Sequence, residues 1–350
     1  MSEPVRVAVV GVGALGYHHA RLYAALASAG GVRLVGVHDA SPDRAAEVAR
    51  QFGCPVLASL DEVIAKADAV SVVTPTVTHF DIARRLLAAG RHVLVEKPLA
   101  SDTAQAEELV RLAREHGCLL QVGHVERFNP VFSYLQQVAT SPRFIEGHRL
   151  SPFPKRSTDI GVVLDLMIHD LDVVLAFVQA EVVSCDAVGI PVLSGSEDIA
   201  NVRLRFANGC VANLTASRVS PEQMRKIRVF SSGPRPCYVS LDYRAQEGFL
   251  YRLAREDEPE SSLLTKLLAS RSRSVVSEFA GRRIVREPVP IEKDEPLKLE
   301  LRSFIECVRG RQTPVVTGEA ARRALDLALQ ITRQIREQIP PDLPFSPTTP

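Results

Sequence analysis

Near the start of the chain Gly11, Val12, Gly13, Ala14, Leu15 and Gly16 form a GxGxxG run between a short β-branched stretch and a helical one. In that setting each glycine has a use: a tight turn at Gly11, close backbone approach to a pyrophosphate at Gly13, and helix–strand contact at Gly16. Free N–H groups and the positive end of the helix dipole would face the phosphates. Asp39 closes the next β-branched run, roughly 20 residues further on, where a carboxylate accepts hydrogen bonds from adenosine ribose hydroxyls. Its charge would repel a 2′-phosphate, so NAD is favoured, while nearby Arg44 leaves NADP possible. The same carboxylate could instead cap the helix beginning near Pro42, although Ser41 could serve there equally well. Later in the chain Asp165 and His169 stand four residues apart in a predicted helix over 162–178, and so share one face. A carboxylate beside an imidazole can act as an acid–base pair. Taken alone, the spacing also suits a surface or capping arrangement.

Elements able to hold these groups are legible in the hydrophobic pattern. Apolar β-branched runs at 5–10, 33–37, 69–73, 92–95 and 119–122 alternate with Ala-, Leu- and Arg-rich stretches at 14–29, 43–52, 79–89 and 103–116. Short, near-continuous apolar strands separated by helices predict an α/β, Rossmann-type domain with a parallel sheet covered on both faces. After about Asn129 the rhythm changes. The segment 181–251 reads as strands in succession, at 198–206, 210–218 and 226–231, with Ala207, Asn208 and Gly209 as a hairpin turn. This predicts a second, α+β domain with a largely antiparallel open sheet. The expected division is 1–125 and 126–350, with a helical piece at 263–279, closing helices at 297–309 and 318–337, and a Pro-rich tail from about 340.

Bulk composition excludes several partners. The chain has 350 residues, 46% hydrophobic and 24% charged, with a net charge of +1. No basic field therefore favours nucleic acid or an anionic membrane. No stretch approaches membrane-spanning length, and no signal peptide is expected. The six cysteines are scattered without zinc-type spacing, so no metal site is expected and reduced thiols of a cytoplasmic protein are.

Two further segments join the glycine turn. Thr74 and Pro75, followed by His79, come after the 69–73 run, and Glu96, Lys97 and Pro98 come after the 92–95 run. Together these features resemble the Gfo/Idh/MocA oxidoreductases. The resemblance implies that Thr74, Pro75, His79, Glu96 and Lys97 lie along the cofactor, with Lys97 beside the nicotinamide and the substrate hydroxyl. An ammonium there could hydrogen-bond the oxygen that becomes a carbonyl. His79 reads equally as a helix-start residue. The stretch Asp165, Met167, His169 and Asp172 is similar to the family's DxGxHxxD pattern, with Met167 where glycine is usual. It implies catalytic roles for Asp165 and His169.

The stretch 123–130, including Arg127 and Asn129, and the stretch 161–170 resemble the branch of that family that oxidises UDP-N-acetylglucosamine at its 3-hydroxyl. That resemblance implies a nucleotide-sugar substrate and a 3-keto product for lipid A biosynthesis. Arg149, Lys155 and Arg156 lie just upstream of the His169 helix and could hold a diphosphate, since arginine can donate two parallel hydrogen bonds. Two other readings stand beside this one: a relative acting on an inositol, a free sugar or another nucleotide sugar, and a non-catalytic dinucleotide-binding regulator. An exposed open sheet would favour a homo-oligomer.

Overall fold

The structure is a computed structural model that describes residues 3–28, 30–153, 160–255, 274–279 and 282–338. By contacts the chain separates into two units, 1–128 with 295–327 and 129–294 with 328–350.

The first unit is a five-stranded sheet of β1 (Val5–Val10), β2 (Val32–His38), β3 (Ala69–Val72), β4 (His92–Glu96) and β5 (Leu120–Gly123). The strands run parallel in the order β2-β1-β3-β4-β5. The connecting helices are α1 (Ala14–Ser28), α2 (Pro42–Phe52), α3 (Leu60–Lys66), α4 (Thr76–Ala88) and α5 (Thr103–Glu115). All four residues of β3 are buried, as expected of a strand covered on both faces. Strand order reverses at β1 and β3, so the crevice beyond their carboxyl ends is the ligand position of such a sheet.

In the second unit α6 (Pro130–Val138) leads to β6 (Pro142–Leu150), then to a π-helical turn (Val163–Met167) continued by α7 (Ile168–Val178). The strands β7 (Val182–Ile190), β8 (Ile199–Phe206), β9 (Val211–Ser217), β10 (Met224–Ser231), β11 (Cys237–Asp242), β12 (Glu247–Leu253), β13 (Ser274–Phe279) and β14 (Arg282–Pro288) follow. They form a nine-stranded sheet, β13-β14-β12-β11-β10-β6-β9-β8-β7. Only the β6–β9 pair is parallel among its described pairings. Ile145, Val202, Leu214, Val229 and Val239 bury one face, and α6 and α7 pack on β11 and β6. On the other side Phe144, Phe230, Tyr238 and Tyr251 stand in register across four strands, with ring centroids 5.8, 4.6 and 5.0 Å apart.

The contact division differs from a simple cut at 125. The last two helices are α8 (Pro296–Gly310) and α9 (Gly318–Gln338), and the contact boundary falls within α9. Leu301, Phe304 and Ile305 of α8 complete the core formed by β1, β2 and α1. An amphipathic helix shows that it covers something, but its sequence does not say which sheet. A second correction concerns 263–279. Residues 274–279 are the strand β13, carrying β-branched Val275 and Val276 and paired with β14. The remainder of that stretch, Lys155, Arg156 and the tail from about 340 lie outside the described residues. Strand β6 and the helices α3 and α6 were not expected from periodicity. Among the described residues no helix is long and apolar enough to cross a membrane.

Candidate active site

The glycine turn joins β1 to α1 as its chemistry requires. Gly11 has φ +85°, in the left-handed region, and a Cβ there would lie 2.5 Å from the Val73 carbonyl oxygen. A Cβ on Gly16 would meet the Gly11 oxygen at 1.8 Å, so helix and turn touch through that glycine. Nothing lies within 4 Å of a Cβ built on Gly13, and Gly13, Ala14 and Leu15 are exposed. The open backbone at Gly13 and an α1 N-terminus without acidic residues in its first turn fit an incoming pyrophosphate.

Asp39 directly follows β2, beside this turn. Its Oδ2 accepts from Val12 N at 2.7 Å and its Oδ1 from Ser41 N at 2.9 Å. The helix cap is Ser41, whose hydroxyl accepts from Arg44 N, so capping is not the task of Asp39. Arg44 is drawn onto the same turn. Its Nε donates to the Val12 carbonyl at 2.8 Å, and its guanidinium lies 5.7 Å from the centre of the Tyr17 ring. The half-buried Asp39 thus stands beside the glycine turn, with the Arg44 cation held on the same turn.

The loops after β3 and β4 are tied to each other. Pro75 begins α4 without a side-chain cap, and Thr78 Oγ1 donates to Thr74 Oγ1. His79 is buried, with Nδ1 and Nε2 each 2.8 Å from a carbonyl oxygen, of Pro98 and Thr74 respectively. Burial pushes its imidazole below the usual pKa, against those two hydrogen bonds. His79 is an internal brace between the two loops. Glu96 is also turned inward. His19 Nε2 donates to its Oε1 at 3.0 Å, and a Cβ on Gly123 would lie 2.7 Å from its carboxylate. Its Oε2 accepts from Lys97 N at 3.3 Å, so Glu96 braces the backbone of Lys97. His19 was missed from sequence. Its only signal is a polar residue on the buried face of α1.

The second unit holds the other chemical groups. Asp165 lies in the π turn and His169 is the second residue of α7, both half-buried. The amide of Ile168 reaches back to the Val163 carbonyl, which inserts one residue before His169. Such turns are frequent at functional sites, and sequence periodicity does not reveal them. Met167 is fully buried, so this departure from the usual glycine is absorbed by the core.

Several expected substrate ligands have other tasks. Arg149 is buried and grips Asp170 with both arms of its fork, Nε to Oδ2 at 2.8 Å and Nη2 to Oδ1 at 2.9 Å. The guanidinium is turned onto the start of α7. Asn129 is buried as the cap of α6, accepting from Val131 N at 3.1 Å and donating to the Tyr243 carbonyl at 3.0 Å. It too is structural. Arg127 is half-buried, with Nη2 donating to the Val315 carbonyl at 3.3 Å. No cluster of His, Cys, Asp or Glu among the described residues could hold a metal ion.

A glycine turn at a strand-order reversal, with Asp39 directly after β2, defines a dinucleotide-dependent oxidoreductase. Residues 5–124 match the oxidoreductase family with the NAD-binding Rossmann fold, and residues 137–233 match the GFO/IDH/MocA C-terminal domain. The UDP-N-acetylglucosamine 3-dehydrogenase of Acidithiobacillus ferrooxidans is 38% identical over 93% of this chain and 96% of its own. Its solved structure matches with a TM-score of 0.82 over 96% of this chain and 99% of that one, at 36% identity. The scyllo-inositol 2-dehydrogenase (NAD(+)) of Bacillus subtilis is 28% identical over 98% of this chain and 97% of its own. The chain belongs to the Gfo/Idh/MocA oxidoreductase family.

Proposed function

We propose that this enzyme oxidises the 3-hydroxyl of UDP-N-acetylglucosamine to the 3-keto sugar nucleotide, with NAD as acceptor. The observation that carries this reading is the likeness to the Acidithiobacillus enzyme along almost the whole of both chains, at 38% identity. Lys97, Asp165 and His169 stand at the expected motif positions, which favours catalysis over a non-catalytic regulator. NAD, when bound, supplies the acceptor for the hydride leaving the alcohol carbon.

The residues of the chain do the rest. His169 takes the hydroxyl proton, Asp165 orients the hydroxyl or the imidazole, and the Lys97 ammonium hydrogen-bonds the oxygen as it becomes a carbonyl. Thr74 and Pro75 border the cofactor on the loop that His79 ties to Pro98. Asp39 favours the ribose diol of NAD over a 2′-phosphate. Arg127, with Lys155 and Arg156, supplies cation for the diphosphate, whose binding energy positions the reacting carbon. The 3-keto product suits a following transamination, as for lipid A precursors. The aromatic row across β6, β10, β11 and β12 is the surface through which copies associate.

A panel of UDP-N-acetylglucosamine, free N-acetylglucosamine and myo-inositol, followed by NADH absorbance, tests the reading. The panel needs an aminotransferase with glutamate to draw off ketone, since oxidation of a secondary alcohol by NAD is often uphill. Signal with the sugar nucleotide and little with the others is expected. Signal with inositol alone would leave the family standing and remove the substrate.

A further inference from the structure

Among the described residues Arg218, immediately after β9, is the largest fully buried side chain. A charge so placed requires partners. Nε donates to Asp198 Oδ1 at 2.8 Å, Nη2 to the hydroxyls of Ser194 and Ser196 at 2.8 and 3.0 Å, and Nη1 to the Ile160 carbonyl at 2.6 Å. Asp198 Oδ2 in turn accepts the N–H groups of Val192, Leu193 and Ser194 at 2.8, 2.6 and 2.9 Å. The whole cluster therefore grips Ile160, three residues before the π turn.

The adjacent Glu197, also fully buried, holds the next three residues. Its backbone carbonyl accepts from Val162 N at 2.9 Å and its Oε1 from Val163 N at 3.4 Å. The carboxylate lies flat against Gly161, where a Cβ would sit 1.9 Å from Oε1. The Gly161 carbonyl then accepts from Asp165 N at 3.0 Å, which begins the turn that carries Asp165.

We propose that Arg218, Asp198 and Glu197 form a buried anchor that fixes the entry of the π turn, and are thereby positioning residues for Asp165 and His169. None of the three needs to touch substrate. The inference rests on the proton-transfer roles given above to Asp165 and His169. Its physical basis is the inserted residue. If the π turn relaxed to an α turn, Asp165 would rotate by about 100° around the axis relative to His169. Ile160 and Val163, bonded by the side chains of Arg218 and Glu197, and Val162, bonded by the Glu197 backbone carbonyl, resist that relaxation, whereas apolar packing is non-directional and would not select between the two windings.

Gly161 and Glu197 supply the test, in the full-length enzyme with NAD and UDP-N-acetylglucosamine. Gly161→Ala drives a methyl into the Glu197 carboxylate and should lower kcat by about 10²-fold, as a displaced catalytic group does. The Kd for NAD should not change. Glu197→Ala removes the anchoring carboxylate without a clash and should lower kcat as well, again with the Kd for NAD unchanged. Asp198→Asn and Arg218→Lys should also lower kcat more than they raise KM.

Hydrogen exchange across residues 160–170 gives a readout without substrate. It should accelerate about tenfold in Asp198→Asn while the sheet keeps its protection, the sign of local opening. Wild-type kcat in Gly161→Ala or in Glu197→Ala, or unchanged exchange, would each overturn the anchor. If the wild-type enzyme fails to turn over the sugar nucleotide, the proton-transfer reading falls. The anchor is then decided by exchange alone.

Discussion

Asp39 and Arg44 set the cofactor preference between them. The carboxylate takes two backbone N–H groups, and the arginine is held over the carbonyls of the same glycine turn. Removing the carboxylate leaves the cation in place. Asp39→Ala should therefore narrow or invert a preference for NAD over NADP, read by titrating both cofactors. A wild-type enzyme that binds NADP more tightly would contradict this use of Asp39. For the chemistry itself, His169→Ala and Lys97→Ala should each lower turnover by at least about 10²-fold, as loss of a positioned acid–base group does. Both variants should still bind NAD, because the Gly11 turn is untouched. Near-normal turnover in either one would remove that residue from the mechanism. The glycine turn and Asp39 were legible in sequence because their roles are local, fixed by neighbours within one strand and one turn. The side-chain partners of His79, Glu96, Asn129 and Arg149 were not, because other loops and elements supply them. Sequence gives such residues their chemistry but not their burial.

The elements show the same contrast in their joints. Strand and helix periods marked β1 to β5 and most of their helices, whereas the π turn has no period of its own. The pair formed by Arg149 of β6 and Asp170 of α7 was equally hidden, since strand β6 itself was not expected. Their side chains are only 4% and 13% exposed, so removing one partner strands a buried charge, at a cost of about 3–5 kcal/mol. Arg149→Met should therefore lower the urea midpoint strongly while leaving KM for the sugar nucleotide near the wild-type value. A raised KM at unchanged stability would return Arg149 to the diphosphate.

The brace between the loops after β3 and β4 adds a pH dependence. Burial lowers the pKa of His79, and of His92, in the folded chain. Below about pH 6.5 the unfolded chain therefore binds more protons than the folded one. Stability from this source is complete above that pH and is lost as pH falls toward the folded values. Chemical denaturation at about pH 7.5 and 5.5 should show the decline, and His79→Gln should flatten it. A wild-type profile flat over that range would contradict the brace.

At the scale of the whole molecule, alternation of strands and helices followed by strands alone was enough to predict two kinds of sheet. It was not enough to predict that 295–327 returns to the first unit, because nothing in the spacing of Leu301, Phe304 and Ile305 names the surface they cover. The substrate is further still from local pattern, and it is the central claim here. The most direct measurement uses UDP-N-acetylglucosamine carrying deuterium at C3, incubated with the enzyme, NAD and an aminotransferase trap. The account predicts that the deuterium appears in the reduced nicotinamide and that C4-labelled substrate transfers none. Transfer from C4, or reduced nicotinamide without label from the C3 substrate, would contradict it.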